Sequence, residues 1–192
     1  SGNNLGGSAP GAAGSPYTIT SATTAVMYGM DISVGLGTAT SIQGNVVRNI
    51  SFTSTTTASP MFAGISIANG NVNIGTVTGN SVGANTGTGS IVLTNTVSST
   101  GTSWGIRLNG GTSTNLDCRN NVVGSITIAG SATVMHNFIG IGSNGGTTTV
   151  INVQGNLIGS LSTANSIQNS PASTGTGSIN GMSFTSGPAT LN

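Results

Sequence analysis

Charge is almost missing from this sequence. It has no lysine and no glutamate, and Arg48, Arg107, Arg119, Asp31 and Asp117 are the whole charged set of its 192 residues. A soluble domain usually devotes about a quarter of its residues to charge, so a chain with 3% charged residues is a poor fit to enzymes that work through clustered acids and bases. Three scattered arginines cannot neutralise a run of phosphates or hold an anionic bilayer surface, which sets aside nucleic acid and lipid headgroups as partners. No apolar run approaches the ~20 residues of a membrane span, so no membrane insertion is expected. Residues 1–25 lack the basic start and apolar centre of a signal peptide. Cys118 is the single cysteine; no internal disulfide can form, and stability has to come from packing and hydrogen bonds.

What is present is glycine, 32 residues of it, in a background of serine, threonine and asparagine. Hydrophobic residues still make up 35% of the chain. Disorder calls for low hydrophobicity with high net charge, and neither condition holds, so a folded object with few but regularly placed apolar residues is expected.

The regularity is a repeat. An apolar-flanked glycine recurs in Tyr28-Gly29-Met30, Ala63-Gly64-Ile65, Trp104-Gly105-Ile106, Ile139-Gly140-Ile141 and Asn180-Gly181-Met182, at intervals of 35, 41, 35 and 41. Six positions after each comes a second glycine: Gly35, Gly70, Gly111, Gly146 and Gly187. Sixteen positions after the first glycine comes an asparagine, at Asn45, Asn80, Asn121 and Asn156, and a step of 41 back from Asn45 lands on Asn4. The chain therefore reads as a single segment, 1–192, made of a partial repeat 1–28, repeats 29–63, 64–104, 105–139 and 140–180, and a partial repeat 181–192.

Within each repeat, apolar residues one and three after the first glycine, such as Ile65 and Ile67 or Ile106 and Leu108, mark a strand with one buried face. Met30, Ile65, Ile106, Ile141 and Met182 are expected to stack as one interior row. The second glycines end these strands, at turn dipeptides such as Asn69-Gly70 and Asn109-Gly110. Two further inward columns follow, Ile42, Val77, Cys118 and Val153, then Val47, Val82, Val123 and Ile158, separated by a tight bend at the asparagine column. Three strands per repeat, identical in phase, describe a coil in which each strand pairs in parallel with its counterpart one turn away: an all-β, right-handed parallel β-helix of about five turns, ~24 Å long at one strand spacing per turn. The extra residues of the longer repeats are expected in 86–103 and 162–178. Asn4, Asn45, Asn80, Asn121 and Asn156 should form an inward amide ladder.

Period-two alternation places Tyr28 and Trp104 inward, and the preceding column, Met27, Phe62, Ser103, Phe138 and Ile179, outward under loops or a partner. Cys118 shares a column with aliphatic residues and reads as buried structure. His136 aligns with Pro60, Gly101 and Gly177 in a loop column with no second ligand in phase, so no metal and no cofactor are expected. Asp31 and Asp117 fall on different strands two turns apart, too far for the paired carboxylates of glycoside hydrolysis. Arg107 and Asp31 share an outward column but are separated by a whole intervening turn, roughly 9 to 10 Å at strand spacing, so no direct salt bridge is expected. The outward residues Ser41, Thr76, Asp117, Asn152 and Gln43, Thr78, Arg119, Gln154 contain no repeated threonine row, which speaks against an ice-binding face there.

Gly-Ile-x-Ile followed by an asparagine bend such as Gly155-Asn156-Leu157-Ile158-Gly159 resembles the right-handed parallel β-helix of the pectin-lyase-like superfamily. The Ser/Thr/Asn-Gly texture resembles the repeat regions of very large secreted surface proteins of Bacteroidota exported by the type IX pathway. The first resemblance implies polysaccharide cleavage in many relatives, through clustered acids, bound calcium or a basic catalytic residue, none of which this chain supplies. The expected function is a structural or adhesive repeat region of a secreted or cell-surface protein without catalysis of its own. The alternatives are a carbohydrate-binding or polysaccharide-degrading β-helix with its active site outside this segment, and an ice-binding solenoid. Further solenoid turns or another protein chain are expected at both open ends, where the next asparagine would fall at position 197. Secretion machinery and surface glycans are the other expected partners.

Overall fold

The computed structural model describes residues 2–97, 101–109, 111–113, 115–130, 136–147, 150–170, 177–185 and 189–191. Gly187 and Gly110 lie outside them, as do parts of both expected insertions. The first turn carries β1 (Asn4–Leu5), β2 (Tyr17–Thr20), β3 (Met27–Ser33) and β4 (Thr40–Ile42). The second carries β5 (Val46–Val47), β6 (Ile50–Ser54), β7 (Phe62–Asn69) and β8 (Val72–Ile74). In the third lie β9 (Ser81–Gly83), β10 (Ile91–Asn95), β11 (Thr102–Leu108) and β12 (Leu116–Arg119). The fourth has β13 (Val122–Gly124), β14 (Ile126–Gly130), β15 (Asn137–Ser143) and β16 (Ile151–Gln154). The last has β17 (Leu157–Ile158), β18 (Ile167–Asn169), β19 (Ile179–Phe184) and β20 (Ala189–Leu191).

Each strand pairs in parallel with its counterpart in the neighbouring turns, which builds four sheets of five strands: β1-β5-β9-β13-β17, β2-β6-β10-β14-β18, β3-β7-β11-β15-β19 and β4-β8-β12-β16-β20. This is a parallel β-solenoid of five turns. A single turn cannot bury its own apolar face; stacking makes the core continuous. The row Met30, Ile65, Ile106, Ile141 and Met182 is paired neighbour to neighbour through all five turns.

Four strands per turn replace the expected three. The additional sheet holds Ile50, Ile91 and Ile126 in one inward row and Phe52, Leu93 and Ile128 in the next, all buried. Ile91–Asn95 thus belongs to a strand, inside the stretch 86–103 expected as an insertion. The length difference between long and short turns lies just before this sheet. Ile50 follows Val47 and Ile126 follows Val123 by three positions, whereas Ile91 follows Val82 and Ile167 follows Ile158 by nine.

The expected outward row faces in. Phe62 and Phe138 are 0% exposed and belong to the main core, and Met27 packs against it, whereas Ala63, Trp104 and Ile139 form a separate apolar cluster. The reason is the glycine between the two rows. A Cβ on Gly64 would lie 2.4 Å from Val82 Cγ1, and one on Gly105 2.4 Å from Val123 Cγ1, so the glycine itself faces inward. The following isoleucine is inward as well. Two successive inward positions bend the strand and reset its alternation, which puts Tyr28 and Trp104 on the outer side and Ile179 on the inner. Only glycine lets the valine row approach this closely.

A second correction concerns Val77, which is 85% exposed. Its expected place in the row of Ile42, Cys118 and Val153 is taken by Ile74. In this turn the strand comes early and the residues after Gly75 (φ +72°) loop out before Asn80. The outward rows shift with it: Asn73, not Thr76, lies between Ser41 and Asp117. Among the second glycines, Gly70, Gly111 and Gly146 adopt left-handed backbone, while Gly35 does not.

Candidate functional site

The asparagine bend is the most ordered polar feature of the solenoid. Asn45 donates its backbone N–H and its Nδ2–H to Oδ1 of Asn80 at 2.9 and 2.8 Å. Asn80 donates the same pair to Asn121 at 2.9 and 2.8 Å, and Asn121 to Asn156 at 2.9 Å each. The second Nδ2 proton goes to a carbonyl one turn back, in the neighbour of the strand that leads into the bend: Asn80 to Ile42 at 3.0 Å, Asn121 to Ile74 at 3.1 Å and Asn156 to Cys118 at 2.9 Å. Asn45, Asn80 and Asn121 are buried, so every carboxamide in this interior stretch has its burial cost offset by partners.

The rung before Asn45 is Asn3, not Asn4. Asn3 donates N–H and Nδ2–H to Asn45 Oδ1 at 3.1 and 3.0 Å. Asn4 pairs with Val46 in the strand that follows the bend and is exposed. The first turn is one residue longer than the step of 41 assumed, because its corner between β1 and β2 holds the loop 6–16.

A second row of side chains runs along that corner. The backbone N–H of Asn49 donates to Ser90 Oγ at 3.3 Å, that of Ser90 to Ser125 Oγ at 3.1 Å, and that of Ser125 to Ser166 Oγ at 2.8 Å. Asn49 and Ser125 hold left-handed backbone, φ 56° and 55°. Sequence reasoning missed this row. Its signal was a hydroxyl or amide residue directly before an inward isoleucine, in Asn49-Ile50, Ser90-Ile91, Ser125-Ile126 and Ser166-Ile167, with the same 41 and 35 spacing.

Cys118 is buried and free. Burial pushes its thiol up to about 12, against a smaller opposite effect of the Asn121 amide, which donates to Sγ at 3.3 Å; a thiol held protonated is no nucleophile at neutral pH. His136 is 3% exposed, and its ring lies over Gly101, where a Cβ would come within 2.4 Å of Cε1. Asn95 Nδ2 donates to His136 Nδ1 at 3.1 Å, which leaves the proton of the neutral ring on Nε2. Burial lowers the imidazole to about 4, partly offset by the backbone of Thr102. Among the described residues, no group of three or more His, Cys, Asp or Glu is placed to hold a metal.

The three arginines are pinned to their own surface. Arg119 Nε donates to Asp117 Oδ1 at 2.6 Å, two residues apart on one strand face. Arg48 Nη2 donates to Gly11 O at 2.7 Å, and Arg107 Nη2 to Asn144 Oδ1 at 3.4 Å. Asp31 and Arg107 are separated by Ser66 in their shared row. The sheet containing β6 does carry an outward threonine row, which the three-strand expectation hid: Thr20, Thr53 and Thr94 are paired in register, followed by Ala129.

No helix among the described residues is long and apolar enough to cross a membrane. Comparison with protein-family models, curated proteins and solved structures returns no match. The class of protein rests on the architecture itself, a parallel β-solenoid whose bends are held by side-chain ladders.

Proposed function

We propose that this chain is a structural and adhesive stretch of a secreted or cell-surface protein, with no catalysis in these turns. The observation that carries the reading is the ladder from Asn45 to Asn156. It joins successive turns by uncharged hydrogen bonds whose strength depends little on salt or pH, which suits a rod exposed to an uncontrolled medium. Two further features support it. The outward rows are mostly hydroxyl and amide residues, able to meet glycans through neutral hydrogen bonds. The last turn carries interior-row residues that a partner could cover, with Ile179 38% and Met182 48% exposed. The winding then follows the right-handed pectin-lyase-like pattern, and the texture shared with Bacteroidota surface proteins points to export by the type IX machinery. The test is co-sedimentation with a panel of insoluble polysaccharides, with soluble reducing sugar measured in the same tubes. Retention without release is the expected result; release of sugar overturns the reading.

A second reading has one observation in its favour. The threonines Thr20, Thr53 and Thr94, stacked at one strand spacing of ~4.8 Å, form the start of a regular hydroxyl array of the kind an ice lattice could meet. Thermal hysteresis that vanishes on Thr53→Tyr would establish it in place of glycan adhesion.

A further inference from the structure

The corner between the first and second sheets alternates in size from turn to turn. It is long at 6–16, short at Arg48-Asn49, long at 84–90, short at Gly124-Ser125 and long at 159–166. The long loops 84–90 and 159–166, two turns apart, meet over the short corner between them. Gly87 N–H donates to Thr163 Oγ1 at 3.0 Å, across 76 residues, and Ser160 Oγ–H donates to Asn85 O at 2.6 Å, across 75. Two turns are separated by ~9.6 Å, and these two loops close that width over the short corner Gly124-Ser125, whereas the loops 6–16 and 84–90 border a cavity of about 380 Å³ beside Arg48 and Asn49. The short corner is tightly enclosed: a Cβ on Gly124 would lie 2.4 Å from Gly159 O and 2.7 Å from Ala84 O. At the other short corner, Arg48 and Asn49 donate to carbonyls of the first long loop, at Gly11 and Gly14.

The C-terminal face ends on a long corner. Beside it lies a cavity of about 450 Å³ lined by Ile158, Gly159, Ser160, Thr163, Ile167 and Ile179, among others. One long loop earlier, the equivalent face is filled by the short corner of the following turn. There Ala84 N–H donates to Gly124 O at 3.0 Å and Ser90 N–H to Ser125 Oγ at 3.1 Å. Ser160 and Ser166 occupy those two donor positions 76 residues on.

We propose that the C-terminal face takes as its next layer a solenoid turn with a short corner, ending in a hydroxyl or amide residue ahead of an inward aliphatic one, and that it rejects a turn with a long corner. The proposal rests on the reading of the chain as part of a rod, and it continues the contact that already joins each turn to the next. A long corner would sit ~4.8 Å above the loop 159–166, with no short corner between the two for either to lean over. The first turn of a second copy carries the loop 6–16, so head-to-tail association of identical chains is disfavoured.

The test appends one turn to the intact chain after Asn192, as a copy either of 120–154, which has the short corner, or of 79–119, which has the long one. Both leave residues 1–192 unchanged, so an added turn that fails to fold leaves the parent transition in place. The readouts are the thermal midpoint and amide hydrogen exchange at Ile167, Ile179 and Met182. The short-corner graft should raise the midpoint and slow exchange at these amides at least tenfold, while the long-corner graft leaves both as in the parent. Equal protection by both grafts overturns the size rule and leaves the rod reading standing. Protection by neither overturns the rod reading and the proposal with it. The unmodified chain should sediment as a monomer; head-to-tail polymers would also overturn the size rule.

Discussion

Asn121 directs its backbone N–H and its side-chain N–H at one atom, Oδ1 of Asn156, at 2.9 Å each. The carboxamide above thus caps a main-chain donor and a side-chain donor of the turn below, and the polarity is the same at every rung from Asn3 onward. Leucine at position 121 fills similar space without these functions. It strips the acceptor from both Asn80 donors and the Nδ2–H donor from Asn156 and from the Ile74 carbonyl, while the backbone N–H of position 121 still reaches Asn156 Oδ1. Leaving buried polar groups unpaired costs about 1 to 3 kcal/mol each, and for a chain of this size each kcal/mol is about 2 to 4 °C of melting temperature. Asn121→Leu should lower Tm by roughly 5 to 10 °C. Asn3→Leu, at the exposed end of the ladder, should lower it much less. Equal effects would mean the ladder adds no stability beyond its bends.

The inward glycines make a sharper contrast. Gly64→Ala places a methyl group 2.4 Å from Val82 Cγ1 and 2.8 Å from the carbonyl oxygen of Gly105. Overpacking of this kind costs about 1 to 3 kcal/mol or more. Gly35→Ala meets nothing within 4 Å, and Gly35 has no left-handed backbone. It should be neutral or stabilise by about 0.4 to 1 kcal/mol through the unfolded chain. Urea denaturation of the two variants separates a packing glycine from a merely flexible one.

Ser103 stands inward in the row of Met27, Phe62, Phe138 and Ile179. It is 0% exposed, and its Oγ has no hydrogen-bond partner among the described residues. Removing that hydroxyl removes a buried, unsatisfied polar group while the neighbouring rings keep their places. Ser103→Ala should raise stability by about 1 kcal/mol in the same denaturation assay. A fall would show that the hydroxyl has a partner such as a buried water.

The repeat, its parallel stacking and the phase of the asparagine column were legible in the sequence because each is a translation by a whole turn. Errors arose where residues are gained or lost inside a turn. The early strand Val72–Ile74 keeps the distance from Gly64 to Asn80 unchanged, so a fixed-phase reading selects Val77 in place of Ile74. The nine-residue corners move Ile91 and Ile167 out of phase with Ile50 and Ile126, which hid a whole sheet and the serine row at its start. The inverted places of Phe62 and Trp104 have another cause. Alternation was carried through a glycine where the strand bends, and a residue without a side chain gives no sign of which way it faces.

Cys118 offers a chemical readout of the same core. Its thiol is enclosed by the aliphatic row and held protonated, pushed up to about 12 chiefly by burial. A thiol-specific disulfide reagent at pH 8 should therefore react only as the fold opens, at a rate that follows global unfolding as urea is added. Stoichiometric reaction within seconds in the native protein would place the sulfur at the surface.

His136 supplies a pH response in a chain with almost nothing else to titrate. In the fold its imidazole is lowered to about 4, first by burial, whereas the unfolded chain holds it near 6.5. Above that value both states are neutral and the histidine has no effect on the folding equilibrium. As pH falls through 6.5 the unfolded state takes up the proton first, so stability declines until the folded imidazole also protonates near pH 4, after which the loss levels off. A difference of this size corresponds to on the order of 3 kcal/mol. Urea midpoints measured from pH 7.5 to 4 should fall over that window. His136→Gln, which cannot titrate, should lose the fall whatever its absolute stability. A wild-type midpoint constant between pH 6.5 and 4 would mean the ring is free to protonate in the native state, with Nε2 in contact with water.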